Sequence, residues 1–357
     1  VIPVVDLARR GLDRRAAFLV AVERILAGGQ VLLGPELRGF EDELAAWSGH
    51  GHAVGVASGA TAIQLALAVL GVGPGDEVIV PAHTAVPTAS AVCATGAVPV
   101  PVDVDARTAV IDPASVRAAR SERTRAIVPV HLYGHPAPVR ELVAEFGLPV
   151  VEDAAQAHGA VDPASGSAAV CYSFYPTKNL GGIGDGGAIV THDDALAERL
   201  RRLRVHGMAE QYVHTEISQN FRMSEIEAAW LRLTLPDLAE GNRRRRDIAA
   251  RYVAAAPGLR WHPDHPMHVR HLCVVRVTDR ERVRAEFTRA GIGTGVHYPL
   301  AVTEQPAYRR FTRVPCPTAE AWAAQCVSLP CFPELTDDEV DAVCTVLAEI
   351  ADHSWAR

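Results

Sequence analysis

Up to about residue 206, short apolar runs alternate with segments of helical character, and few folds accept that pattern. Strands are read at 52–57, 77–80, 98–102, 125–130 and 148–152, with helices at 60–70, 86–94 and 137–146 between them. The strands are largely apolar on both faces, as strands covered by helices on both sides must be. The expected fold class is therefore α/β, a mostly parallel central sheet with helices on both faces and right-handed crossovers. In such a sheet a ligand settles in the crevice at the carboxyl ends of the strands. Two further runs, 168–174 and 186–191, read as a strand pair joined by a glycine-rich loop. A long helical region over about 224–255 then leads to a smaller α+β segment, with a strand at 271–277 and helices at 280–290 and 337–353. The expected division is a large domain, 1–238, and a small C-terminal domain, 239–357.

Charge and cysteine content narrow the function classes. The net charge of −7 argues against a general nucleic-acid binder. The one basic run, Arg243 to Arg246, sits among helix formers and reads as a solvated helix face. No apolar stretch approaches the roughly 20 residues of a membrane span, and no signal-peptide pattern is visible. With valine first, a trimmed N-terminus is expected. Seven cysteines without a C-x-x-C pair suit reduced thiols in a cytoplasm. His262, His265, His268 and His271 recur every third residue, but Pro263 and Pro266 interrupt them, so a polar loop is expected and no metal site.

Of the 35 basic residues only one, Lys178, is a lysine, and it lies between Ser173 and the glycine-rich stretch 181–187. A bias toward arginine explains losing lysine wherever a bare charge suffices. It does not explain keeping one beside such a turn. Arginine stays protonated and cannot attack a carbonyl, whereas a lysine amine of lowered pKa can form a Schiff base.

Three other features can converge with it. Asp153 ends the strand at 148–152, placed to hold a pyridinium nitrogen protonated. At about 4 Å and an effective dielectric near 20, that attraction is roughly 4 kcal/mol. Ser58 to Thr61 forms a strand-to-helix turn whose free N–H groups suit a phosphate, although alone it reads as a helix cap. Ser173 and Asn179 bracket the lysine with a hydroxyl and an amide. A Schiff-base lysine, a pyridinium carboxylate and a phosphate cradle are what pyridoxal 5'-phosphate asks of a protein.

These residues carry a family resemblance. The chain is similar to the DegT/StrS family of sugar aminotransferases through the stretches IPVVDL at 2–7, LGPE at 33–36, GDEVIVP at 75–81, PVHLYG at 129–134, EDAAQ at 152–156 and SFYPTK at 173–178. It continues through NFRMSEIEAA at 220–229, HYP at 297–299, QPAY at 305–308 and LPCFP at 329–333. The resemblance spans nearly the whole chain and implies the pyridoxal-phosphate transferase fold of type I. It assigns Lys178 as Schiff-base lysine and proton shuttle, Asp153 to the ring nitrogen, and Gln156 to the neighbourhood of the phenolic oxygen. It gives the phosphate to Gly59, Ala60, Thr61, Ser173 and Asn179. Asn220 matches a position reaching in from a neighbouring subunit, which implies a homodimer with shared active sites; the alternative is that Asn220 caps the helix beginning near Ser224. The chain departs from the family at Ala85, where an aromatic residue is common, so His83 is expected to supply a flat surface for the ring. It departs also at Ala60, where the family has threonine, and at Thr303, where histidine is frequent.

The implied activity is transfer of an amino group from glutamate or glutamine to a nucleotide-linked ketosugar. A free keto-cyclitol is the alternative substrate. A cofactor-binding regulatory protein without turnover is the alternative of another class.

Overall fold

The computed structural model describes residues 1–353 and Ala356. The first half builds the elements α1 (Arg15–Gly28), α2 (Pro35–Ser48), β1 (His52–Val56), α3 (Gly59–Val69), β2 (Glu77–Pro81), α4 (Val86–Ala94), β3 (Val98–Val102), α5 (Pro113–Ala119), β4 (Thr124–Ile127), α6 (Val139–Phe146), β5 (Val151–Asp153), β6 (Ala169–Ser173), β7 (Gly187–Thr191) and α7 (Asp194–Leu203). Parallel ladders join β3 to β2, β2 to β4, and β5 to β6. Parallel bridges Ile127–Val150 and Val130–Asp153 link β4 to β5. Only β7 runs the other way, paired antiparallel with β6 and β1. The strand order is therefore β3-β2-β4-β5-β6-β7-β1, the expected mostly parallel sheet.

Its two faces are buried by alternation along each strand. Val54, Val56, Val78, Val80, Cys171 and Ile189 pack with residues of α3, α4 and α7 on one side. Ala53, Val170, Tyr172, Ala188 and Val190 pack under α2 on the other, and Ile79, Val100 and Ile127 under α5 and α6. A period of two with apolar residues in both phases is what removes polar alternation from the sequence.

Beyond α7 come a hairpin, β8 (Met208–Glu210) and β9 (Val213–His214), then α8 (Glu225–Thr234) and α9 (Leu238–Ala255). The helical region expected as one unit is broken at Leu235–Asp237, where Pro236 withholds an N–H. Glu225 opens α8 and accepts the N–H groups of Gly34, Glu36 and Leu37 at 2.8, 2.7 and 3.1 Å, so it caps α2 from a distant part of the chain.

The remainder forms β10 (Arg260–Trp261), β11 (Cys273–Arg276), α10 (Arg280–Arg289), α11 (Pro317–Gln325), β12 (Cys326–Leu329) and α12 (Asp337–Ile350). β10, β11 and β12 make an antiparallel sheet packed against α9, α10 and α12 through Tyr252, Phe287, Val327 and Leu347. Ile2 joins this second core, bonded to Gly291 and Gly293 at 2.9 and 2.8 Å. The first residues thus pack on the core expected of the C-terminal segment, because that is where Ile2 finds apolar neighbours. The arginine run also differs from expectation. Arg243 is exposed, but Arg245 shares the inward face of α9 with Asn242, Ile248 and Ala249 and is buried.

Candidate active site

The carboxyl ends of β5 and β6 and the amino end of α3 meet at one place. β5 delivers Asp153, buried, with Oδ2 accepting from Thr88 Oγ1 at 2.7 Å and Oδ1 from the Ala155 N–H at 3.1 Å. Burial raises its pKa above the ordinary aspartate value, opposed by Thr88, by Ala155 and by the charge of Lys178. Its hydrogen-bond partners are both neutral, which suits a cation arriving as ligand.

Lys178 lies on the turn between β6 and β7. Arg10 pins that turn by donating to the carbonyl oxygens of Pro176 and Lys178, the latter at 2.9 Å. Trp230 Nε1 donates to the Gly181 carbonyl at 3.0 Å, and the Glu227 carboxylate accepts from the N–H groups of Ile183 and Gly184 at 3.3 and 3.1 Å. A Cβ at Gly182 would run into that carboxylate, so the glycine is needed there for close approach. Enclosure of the amine lowers the Lys178 pKa to about 8, against the opposing pull of Asp153. A sizeable fraction of the amine is then neutral near physiological pH, as a nucleophile requires.

Ser58 caps α3 and forms a reciprocal pair with Thr61. Gly59 and Ala60 keep N–H groups without partners among the described residues. A Cβ on Gly59 would sit 2.6 Å from Ser173 Cβ, so the glycine lets the helix end close on the Ser173 hydroxyl. Two helix N–H groups and a hydroxyl form a cradle that fits a phosphate. Two other expected phosphate ligands, Thr61 and Asn179, have partners within the protein. The Thr61 N–H and hydroxyl are both engaged with Ser58, at 3.2 and 2.8 Å. Asn179 donates to Asn242 Oδ1 and the Val269 carbonyl at 2.8 and 3.0 Å and meets His271 Nδ1 at 3.0 Å, which spends its side chain inside the protein.

Gln156 accepts from the Tyr133 N–H at 2.7 Å and donates to the Tyr298 hydroxyl at 2.9 Å, leaving one amide hydrogen. Tyr133 itself is held at φ 61°, a left-handed backbone unusual for a bulky residue, by that bond and by its hydroxyl donating to the His297 carbonyl at 2.6 Å. His83 is wholly buried, with its ring 6.2 Å from that of Trp322 and Nε2 2.7 Å from the Tyr133 hydroxyl. That placement gives no support to a role as a surface for the ring. Asn220 is exposed, and its Oδ1 accepts from Arg222 N and Nε at 3.2 and 2.9 Å. It does not cap α8; Ser224 does, accepting from the Glu227 N–H at 3.1 Å.

A cavity of about 250 Å³ opens beside Lys178, lined also by Tyr175, Arg245, His271, His297 and Tyr298. Burial keeps both histidines well below the usual imidazole pKa, His297 at about 4. The other histidines of the threefold spacing, His262, His265 and His268, gather around His135 with ring centroids 5.2, 5.3 and 5.5 Å away. Among the described residues no group of three or more His, Cys, Asp or Glu side chains is arranged to hold a metal ion.

Sequence reasoning missed Thr88, Arg10, Glu227 and the cavity residues. Thr88 leaves a faint trace, a threonine in the first turn of a helix that follows a strand end. Arg10 leaves none, since its partners are carbonyl oxygens far along the chain.

A lysine of lowered pKa, a buried carboxylate with neutral hydrogen-bond partners and a phosphate cradle on this sheet define a pyridoxal-phosphate-dependent aminotransferase of fold type I. The model of the DegT/DnrJ/EryC1/StrS aminotransferase family matches residues 13–348, and the chain belongs to that family. It is 45% identical to a dTDP-3-amino-3,4,6-trideoxy-alpha-D-glucose transaminase of Streptomyces venezuelae, over 99% of this chain and 97% of that protein. It is 43% identical to the erythromycin biosynthesis sensory transduction protein EryC1 of Saccharopolyspora erythraea, over 97% of this chain and 98% of the other. The crystal structure of S. venezuelae DesV in complex with a ketimine intermediate superposes with a TM-score of 0.94 at 45% identity, covering 99% of each chain.

Proposed function

We propose that this chain aminates the keto carbon of a nucleotide-linked sugar, with glutamate or glutamine as amino donor. The enclosed amine of Lys178 beside Asp153 carries the reading, supported by the sugar substrate in the name of the S. venezuelae relative. When bound, pyridoxal phosphate supplies an electron sink for the carbon that gains or loses the amine. Gly59, Ala60 and Ser173 would hold its phosphate, Asp153 would keep its ring nitrogen protonated, and Gln156, with one amide hydrogen to spare, would serve its phenolic oxygen. Lys178 Nζ would be the amine that holds it and the group that moves the proton in the transfer. Buried Tyr133 and partly buried Tyr298 would limit water at the site.

The acting species is a homodimer with shared sites. Supporting this, Leu19, Val20 and Leu26 of α1 are 58, 66 and 61% exposed, and Tyr212 and Ile217, close in sequence to Asn220, stand in solvent. The large domain runs to about residue 238, where α9 begins, and the small one from 239. Its place is the cytoplasm, supported by seven free cysteines and by the absence, among described residues, of a helix long and apolar enough to cross a membrane. Incubation with pyridoxal phosphate, glutamate and a panel of nucleotide ketosugars and ketocyclitols, followed by product mass, tests the substrate. Amination of cyclitols alone would overturn the nucleotide-sugar reading, and no amination at all would favour a regulatory role.

A further inference from the structure

Glu227 projects from the first turn of α8 into the loop that follows Lys178, and its two oxygens fare differently. Oε2 accepts from the N–H groups of Ile183 and Gly184 at 3.3 and 3.1 Å. Oε1 is buried and has no hydrogen-bond partner among the described residues. Gly182 and Gly186 close over it: a Cβ at the first would overlap Oε1, and one at the second would lie 3.4 Å away. An unpartnered oxygen there is costly on an anion and far less so on an uncharged acid. With both N–H groups on Oε2, Oε1 is the place for a proton.

The charges nearby do not offset that cost. On α8 itself, Glu225 caps α2 and Arg232 pairs with Glu36 and Glu43 of α2. Glu41 of α2 pairs with Arg204, and Arg24 of α1 with Glu36. Asp237, after α8, pairs with Arg14. Arg10, beside Gly181, gives its hydrogens to the carbonyls of Pro176 and Lys178. Asp185 of the loop is the one charge that acts on Glu227, and it opposes ionisation. Burial first, and then Asp185, raise the Glu227 pKa from 4.5 to about 7 against the two N–H donors.

The segment that Glu227 grips carries Lys178. The loop is tied at Phe174, whose carbonyl accepts from the Gly182 N–H at 2.7 Å and whose N–H donates to the Gly186 carbonyl at 2.8 Å. Lys178 lies in the turn that leaves Phe174 and returns to Gly182. Trp230, one turn further along α8, fastens Gly181. The charge of Lys178 does not act on Glu227, so the link between them runs through the backbone.

We propose that Glu227 is a proton-dependent clasp on the Lys178 turn, holding residues 181–186 shut while Oε1 carries a proton and letting them open to water once it is lost. The proposal rests on the aminotransferase reading and adds a positioning residue to it. A carboxyl group with a higher pKa in the closed loop than in the open one favours closure at low pH. That preference is complete below about pH 4.5 and is lost as the pH rises through about 7.

Hydrogen exchange at Ile183 and Gly184, read by mass on the whole protein with and without pyridoxal phosphate, tests the clasp. After correction for the intrinsic pH dependence of exchange, protection should fall about thirtyfold between about pH 5.5 and 8.5. Glu227→Gln keeps an acceptor for both N–H groups and cannot titrate, so its protection should stay level over that range. Dissociation of pyridoxal phosphate from wild-type holoenzyme, taken relative to Glu227→Gln, should quicken over the same range. Should Glu227→Gln not fold, Glu227→Asp, shorter and better hydrated, should show the step at lower pH. Level protection in wild type, the same step in Glu227→Gln, or an unmoved step in Glu227→Asp overturns the clasp. A step in exchange without any change in relative cofactor dissociation overturns its role toward Lys178. Failure of borohydride to fix any cofactor on Lys178 would instead overturn the aminotransferase reading and leave the exchange result standing.

Discussion

Thr88 Oγ1, in the first turn of α4, donates to Asp153 Oδ2 at 2.7 Å across the carboxyl edge of the sheet. Thr84 Oγ1 lies 3.1 Å from the same hydroxyl, and since the Thr88 hydrogen goes to the carboxylate, Thr84 is the donor of that pair. The chain Thr84–Thr88–Asp153 fixes the carboxylate with neutral groups and leaves its charge for a ligand. Thr88 positions Asp153 without touching the reacting atoms.

Thr88→Val keeps the shape and removes the donor. Asp153 should then be harder to ionise, because burial already raises its pKa and Thr88 is the strongest opposing influence. We expect kcat to fall about ten- to a hundredfold, ~1.4–2.7 kcal/mol. The pH at which the visible spectrum of the holoenzyme changes should shift, and Thr88→Ser should restore both. An unaltered spectral titration would make Thr88 a packing residue only.

A single lysine makes the covalent test unambiguous. Borohydride should fix the cofactor on the peptide carrying Lys178, and Lys178→Arg should retain charge but show neither fixation nor turnover. Substantial activity in that variant would mean that the lysine acts as a cation.

The sheet and its ligand edge were legible in the sequence, because strands apolar in both phases have no other home. Lys178 stood out for a different reason, as the one lysine in a chain that uses arginine everywhere else. Arg245 was not. Inside a run of four arginines its inward direction depends on the phase of α9, set by Asn242, Ile248 and Ala249, and composition suggested a solvated face. At Thr61 and Asn179 residue type and spacing suited a phosphate, and nothing in the sequence signalled that Ser58, Asn242 and Val269 engage their donors. The cap on α2 was hidden as well, because Glu225 reaches it across 188 to 191 positions of sequence.

Attachment of the cofactor should depend on pH in one direction. The amine must be neutral to attack, and burial brings its pKa down from 10.5 to about 8. The rate of attachment to the apoprotein should rise about tenfold per pH unit below about 8 and level off above it. A rise continuing to about pH 10, the range of an ordinary lysine, would show that the amine is solvated.

Glu225→Ala should lower stability more than activity. Three backbone donors at the start of α2 would lose a buried acceptor, at a cost of about 2–4 kcal/mol in all. Hydrogen exchange at Gly34, Glu36 and Leu37 should quicken. A thermal midpoint equal to wild type would mean that water replaces the carboxylate.

Asn220 bears most directly on assembly. Its Oδ1 is held by Arg222, and its amide hydrogens have no partner among the described residues, so it presents two donors to solvent at the foot of the exposed hairpin. With Ser224 capping α8, no local task remains for them. If they complete the phosphate cradle of a second subunit, the protein should run as a dimer or larger, and Asn220→Ala should weaken cofactor retention while Lys178 stays reactive. Mixing Lys178→Ala with Asn220→Phe under subunit exchange gives the decisive reading. In a hybrid dimer one site receives both lesions and the other receives neither, so two inactive parents should yield about half the normal sites per hybrid. That recovery follows from the geometry of sharing alone and needs no knowledge of the sugar. Hybrids demonstrated by mass yet without activity would place Asn220 in its own subunit's site, and each active site would then be complete within one chain.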